Sequence, residues 1–298
     1  MPLLRIALVL ALLVTLAFAA IRLFDPTGVL VATAIKLDPS PPAVANQVLL
    51  PDLESGACLS LAPTHAGSGQ TVFIDPGHGG LDPGVVGGSA PHPVLEKDAT
   101  LAVALRLSDL LRAAGYRVVM ARTQDTTVIK LSGSDSVYGS LTASAEHRDL
   151  AARAACANAA GAAALLSIHF DAFGDPTVGG TETFYDAART FAAASRTLAT
   201  DVQTALVAAL GTADRGVWTD DQLAAPTLTS SGSTYNHLIE LGPLSAGWVD
   251  APSQMAGALV EPLFLTNLTE ARLASDPSGQ QAIAAALEAG LVKFLSTA

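Results

Sequence analysis

Two histidines and a glutamate stand where apolar runs of this sequence stop. Thr71-Val72-Phe73-Ile74 is short, β-branched and aromatic, and runs into Asp-Pro-Gly-His-Gly-Gly, so His78 falls in a loop just past the end of a buried strand. "ALLSIHF" carries His169 at the end of a second such run, and "GALVEPLF" carries Glu261, a carboxylate that interrupts a third. Gly77, Gly79 and Gly80 let the backbone take unusual dihedrals and let another group come close, which a loop built only to turn does not need three times over. Two neutral imidazoles and a carboxylate converging in such a loop suit a divalent zinc ion, with an open position for water when the site is catalytic. Spacing alone does not identify the third ligand. Glu96, in "VLEKD" ahead of a helical stretch, is the nearest charged candidate after the His78 loop.

The elements that must position these residues alternate. Lys97 to Ala114 has apolar residues at Leu101, Ala104, Leu105, Leu107 and Leu111 and stops at Gly115, the pattern of a one-faced helix. Tyr116 to Ala121 is a strand, Ala143 to Ala160 a helix, Ala164 to Phe170 a strand and Thr181 to Tyr185 another. Arg189 to Leu210 is a long helix, Ala258 to Phe264 a late buried strand and Ser278 to Leu295 a closing helix. This order predicts an α/β layered domain with a mainly parallel sheet. Sites in such sheets form at the carboxyl ends of strands, which is where His78, His169 and Glu261 fall.

Other chemistries fit less well. A phosphate cradle would want Gly-Lys-Ser/Thr after the glycine loop, and Asp75 and Asp82 would repel the anion. A serine nucleophile would need a Gly-x-Ser-x-Gly elbow, and none is placed to supply one. The formal net charge of −11 and the lack of any Lys/Arg cluster exclude nucleic acid as a partner.

Residues 1–24 stand apart from the fold. No charge interrupts Ile6 to Ile21, Arg5 and Arg22 flank it, and Ala17-Phe18-Ala19 resembles a small-residue cleavage site, so this is a signal peptide or membrane anchor. Residues 25–70, with Pro39, Pro41, Pro42, Pro51 and Pro63, have the composition of a Pro-rich tether, leaving one domain over residues 71–298. Cys58 in the tether and Cys156 on a helix leave a disulfide and a buried free Cys156 thiol both open, with the free thiol favoured.

In order and approximate spacing, "VFIDPGHGGLDPG", "EKD" before a helix, "RTQD", "RAACAN" leading into "SIHFDA", "RGV" at Arg215 and "ALVEPLFLTN" resemble the zinc-dependent N-acetylmuramoyl-L-alanine amidases of the amidase-3 type. The resemblance runs from about Thr71 to Leu295. It implies zinc held by His78, Glu96 and His169, Glu261 as the catalytic carboxylate, and a sheet of about six strands between helices. Two departures touch the cleft: Asp171 replaces the usual Asn, and Pro262-Leu263-Phe264 replaces the usual Gly-Phe. A second run, Leu238 to Gly242 ("LIELG"), offers Glu240 as a rival, but only Glu261 is followed by the family's continuation. Arg122, Asp125, Arg153 and Asn158 also match family positions, with charge pairing and packing as their expected role.

The implied activity is hydrolysis of the amide between N-acetylmuramic acid and L-alanine in peptidoglycan, outside the cytoplasm in the cell envelope. Peptidoglycan or muropeptide is the implied partner, together with the membrane if residues 1–24 stay attached, and the protein is expected to be a monomer. A zinc peptidase acting on the stem peptide, and a non-catalytic wall-binding regulator on the same scaffold, are the alternatives.

Overall fold

The computed structural model describes residues 46–48, 50–222, 227–229 and 231–297. The apolar segment 1–24 lies outside them. Among the described residues no helix is long and apolar enough to cross a membrane.

Eight strands form the central sheet: β1 (Asn46–Gln47), β2 (Ala57–Leu61), β3 (Thr71–Pro76), β4 (Arg117–Arg122), β5 (Ala164–Ile168), β6 (Thr181–Tyr185), β7 (Asp214–Thr219) and β8 (Ala256–Glu261). Their order is β1-β2-β4-β3-β5-β8-β6-β7. β4, β3, β5 and β8 run parallel, β2 and β6 pair antiparallel to them at either side, and β7 is parallel to β6. The mainly parallel α/β sheet expected from the sequence is present, with extra strands at its edges.

Period-two alternation divides the core into two layers. Val72, Ile74, Val118, Met120, Leu166 and Ile168 face α1 (Glu96–Ala113), α3 (Ala192–Leu210) and α5 (Pro277–Leu295) in one cluster. Phe73, Val119, Ala121 and Leu165 face the other way, onto Cys156 and Ala157 of α2 (Ala143–Ala159) and onto Leu241 and Met255. α1 buries Ala99, Val103, Ala104, Leu107 and Leu111, a single stripe at helical spacing. Asn267 caps the short helix α4 (Leu268–Ser275), and Asp276 caps α5 with Pro277 in its first turn.

Three sequence expectations need correction. Residues 57–61 lie inside the stretch assigned to the tether, yet they form β2, with Leu59 opposite Met120 and Leu61 opposite Val118. "ACLSL" is too short to stand out among prolines, and it is a strand because β4 offers it an edge. The late strand ends at Glu261 rather than Phe264, since Pro262 has no N–H to continue the ladder. Cys58 and Cys156 are joined in a disulfide, with Cα atoms 5.9 Å apart. β2 places Cys58 against α2, which a flexible tether would not do.

That bond closes a loop of 98 residues in sequence. Replacing both cysteines by serine is therefore expected to lower unfolding stability by about 2–5 kcal/mol, read from denaturant unfolding of the oxidised protein and the variant. Equal midpoints would show that the link is dispensable.

Candidate active site at the carboxyl ends of β3, β5 and β8

β3, β5 and β8 are neighbours, and their register pairs Pro76 with Ile168 and Ile168 with Val260. Gly77 donates its N–H to the Ile168 carbonyl at 2.9 Å, and His169 donates to that of Val260 at 2.9 Å. The chain segments bearing His78, His169 and Glu261 thus leave the sheet side by side.

Glu96 arrives from elsewhere. A hairpin of Val86–Ser89 and His92–Leu95 delivers it as the first residue of α1, where the exposed N–H groups of the helix favour a negative charge. Its carboxylate is buried and accepts hydrogen bonds from Val85 N–H at 2.8 Å and Phe170 N–H at 2.9 Å.

The donor atoms then converge. His78 Nε2 lies 3.1 Å from Glu96 Oε2, His169 Nδ1 lies 3.1 Å from Glu96 Oε1, and the two ring nitrogens are 3.2 Å apart. A tetrahedral ion with bonds of about 2.0 Å holds its ligands about 3.3 Å from one another, which is close to the spacing of the two imidazole nitrogens, and each nitrogen faces its own oxygen of the Glu96 carboxylate. These three residues form one of two groups among the described residues able to hold a metal ion.

The supporting contacts set the roles of the rings. His78 Nδ1 pairs with Asp82 Oδ2 at 2.7 Å, which turns Nε2 toward the cluster. Burial would lower the pKa of His78, but Asp82 and Glu96 outweigh it and raise it to about 10. Burial would likewise raise that of Glu96, yet hydrogen bonds with His169 and His78 hold it well below the usual carboxylate range. In the sequence Asp82 counts only against a phosphate. Its position four residues after His78 is the signal that could have marked it.

Two glycines make room for the cluster. A Cβ on Gly77 would sit 2.3 Å from Cε1 of His169, and one on Gly84 would sit 2.6 Å from both Glu96 Oε2 and His78 Cδ2. Gly77→Ala is therefore expected to push the His169 ring aside and weaken zinc binding by roughly 10–100-fold with the fold retained, measured by metal titration and circular dichroism. Unchanged zinc affinity would mean that the ring does not hold the metal.

The loop itself is gripped by two buried arginines. Arg122 donates to the carbonyls of Pro76 at 3.0 Å, Gly77 at 2.9 Å and Lys97 at 2.8 Å. Arg153 donates to the carbonyls of Pro76 at 3.0 Å and His78 at 2.8 Å and pairs with Asp75 at 2.6 Å and Asp149 at 2.9 Å. Asp125 binds Lys97 at 2.8 Å and the Gly80 N–H at 2.8 Å. Asn158 instead fastens the 252–254 turn through Pro252 and Gln254.

Glu261 and Glu240 occupy different surroundings. Glu261 ends β8 next to His169, and its Oε2 is buried with no hydrogen-bond partner. Burial first, then the charges of Glu96, Asp171 and Glu182, push its pKa well above the ordinary range. Glu240 lies beside Arg153, 4.0 Å from Nε, in a cavity lined also by His78 and His169. Burial and the Asp75 charge raise its pKa too, and its Oε1, like Oε2 of Glu261, is buried without a hydrogen-bond partner.

Asp171, the departure from the family pattern, supports the turn after Glu261. Its N–H donates to the Leu263 carbonyl at 3.0 Å and its carbonyl accepts from Leu265 N–H at 2.8 Å. It shares a shallow groove beyond Glu261 with Phe173, Glu182, Arg215, Trp218 and Phe264.

A His-Glu-His donor set at the strand ends of an α/β sheet, with an unpartnered carboxylate beside it, has the composition of a metal-dependent hydrolase site. The chain belongs to the N-acetylmuramoyl-L-alanine amidase family, Amidase_3, which it matches over residues 72–293. It is 32% identical over 227 residues to the N-acetylmuramoyl-L-alanine amidase LytC of Bacillus subtilis, a match covering 76% of this chain and 36% of that protein. The chain thus spans about a third of that relative's length. It is 28% identical over 235 residues to the germination-specific N-acetylmuramoyl-L-alanine amidase of the same organism, covering 77% and 81%. The crystal structure of an N-acetylmuramoyl-L-alanine amidase from Clostridium difficile superposes with a TM-score of 0.56 at 28% identity, covering 77% of this chain and 98% of that one.

Proposed function

We propose that this protein is a zinc-dependent peptidoglycan hydrolase that cleaves the amide between N-acetylmuramic acid and the L-alanine of the stem peptide. The observation that carries the reading is the convergence of His78 Nε2 and His169 Nδ1, 3.2 Å apart and each 3.1 Å from its own oxygen of the buried Glu96 carboxylate, with Glu261 at the end of the neighbouring strand and its Oε2 unpartnered. Two imidazoles and a carboxylate suit zinc, and the orphaned oxygen beside them suits proton transfer.

Zinc, when bound, supplies Lewis acidity to a carbonyl and to water. The remaining work falls to the side chains. Glu261 takes a proton from water at Oε2 and returns it to the departing amine. Asp82 holds His78 in the tautomer that presents Nε2, and the two buried arginines keep the His78 loop from relaxing. Phe173 and Trp218, both exposed, line an open groove with Asp171 and Glu182, which suits a long polymer better than a closed pocket.

Residues 1–24 are the export or anchoring segment in this reading, so the catalytic domain acts in the cell envelope, as a monomer, either attached or released. Digestion of purified peptidoglycan followed by mass analysis tests the reaction. Free stem peptides with an L-alanine amino terminus are expected. Cuts within the stem peptide would make it a peptidase, and intact polymer with bound protein would make it a wall-binding module.

A further inference from the structure

We propose that Asp186, Asp220 and His237 form a second divalent-cation site, of the zinc or manganese class, which fastens the loop carrying Leu238–Leu241 to the far end of the sheet. Asp186 follows the last residue of β6 and Asp220 the last residue of β7, and the register pairs Tyr185 with Thr219. Two carboxylates therefore emerge side by side at the ends of parallel strands.

This place is remote from the His78 cluster. Glu182, at the start of β6, faces Glu261, and β6 runs antiparallel to β8. Asp186 is four residues further along, about 13 Å at about 3.3 Å per residue.

The third donor comes from the loop. His237 Nδ1 lies 2.8 Å from Asp186 Oδ2 and 3.4 Å from Asp220 Oδ1, so one nitrogen faces two carboxylate oxygens. Asp186 is 2% exposed, and its Oδ2, although close to the ring, accepts no hydrogen bond. Asp220 is fully buried. Its other oxygen accepts the Leu238 N–H at 2.9 Å, and the other Asp186 oxygen accepts that of Ala188 at 2.6 Å. Each carboxylate thus has one oxygen satisfied by the backbone and one turned toward the imidazole.

One imidazole faces both carboxylates, and burial pushes the pKa of the Asp220 carboxyl up to about 7. Arg189 feels the Asp186 charge, but its guanidinium donates to the carbonyls of Leu241, Gly242 and Ser253. Buried carboxylates without enough positive charge are costly, and a divalent cation on two oxygens and one nitrogen removes that cost. Nitrogen with carboxylate oxygens is a donor set for zinc or manganese. The consequence reaches the cleft, because Leu238, Ile239 and Leu241 line the cavity that His78 and His169 also border.

The test counts metal in the purified full chain after chelation and reloading with Zn²⁺ or Mn²⁺ alone, with circular dichroism as the check on folding. The wild type should hold two equivalents, His78→Ala one, His237→Ala one, and the double variant none. Asp220→Asn, which keeps the size of the side chain, should also lose one. Zn²⁺ should raise the Tm of His78→Ala and fail to raise that of the double variant. One equivalent in the wild type that survives both His237→Ala and Asp220→Asn in folded protein overturns the second site. A single equivalent lost in His237→Ala but kept in His78→Ala would support the second site and remove the first.

Discussion

Glu261→Gln is expected to keep the fold and its zinc while turnover on muropeptides drops by roughly 10²–10⁴-fold, the usual worth of a positioned acid–base group. The substitution keeps the size of the side chain but removes its charge and its capacity to take up a proton. The Oε2 of Glu261 is buried without a hydrogen-bond partner, and the carboxyl is under the repulsion of Glu96, Asp171 and Glu182. A cation between His78, Glu96 and His169 would offset this repulsion and favour the ionised form that a base requires. Glu240 supplies the contrast. Its carboxyl lies 4.0 Å from Arg153 Nε and feels the charge of Asp75, which is ion-paired to Arg153 at 2.6 Å, so its surroundings lead into the support of the His78 loop. An amide keeps the size and polarity of that side chain, so Glu240→Gln should turn over within a few-fold of wild type, whereas Glu240→Ala should cost about 1–3 kcal/mol in stability. Peptide release normalised to zinc-loaded folded protein decides the matter. Normal cleavage by Glu261→Gln with a dead, zinc-loaded Glu240→Gln would exchange their roles.

His78→Ala and His169→Ala should each lose most of the zinc held at the His78, Glu96 and His169 site and, with it, activity. Sites with four protein ligands bind zinc with about 10–16 kcal/mol, so one ligand is worth roughly 3–4 kcal/mol, or about 10²–10³-fold in affinity. Glu96→Ala should lose less, because water can replace a carboxylate oxygen. The binding should also depend on pH in a definite direction. With the His78 pKa raised to about 10 in the metal-free protein, zinc must displace its proton, so affinity rises with pH across the neutral range. The same shift gives the sign for the metal-free fold. A raised histidine pKa contributes stability that is complete below about 6.5 and disappears as the pH climbs through 10. Isothermal titration at several pH values, with unfolding of the metal-free chain alongside, measures both trends. Zinc affinity that is flat with pH would place the ligand nitrogen elsewhere.

The sequence by itself determined the parts of this protein whose cause is local. Apolar runs of strand length, the first ended by Pro76-Gly77 and the second by His169, mark β3 and β5, and helical stripes mark α1 and α5, because burial imposes its period directly on the residues. His78, His169 and Glu261 were legible for the same reason: each is a polar residue set at the end of such a run. Glu96 stood out in the sequence only as the nearest charged candidate after the His78 loop, and family likeness made it a ligand, since nothing in its spacing says that a hairpin will return it to His169. Tertiary structure alone decided β2, which exists because β4 offers an edge, and the disulfide, which exists because β2 holds Cys58 over α2. It decided the use of Asp82 and the arginine grip on the loop carbonyls as well. It also gathered Asp186, Asp220 and His237 from two strand ends and a loop. Contacts between distant segments leave no period in the chain, so they become visible only once the sheet sets the order of its strands.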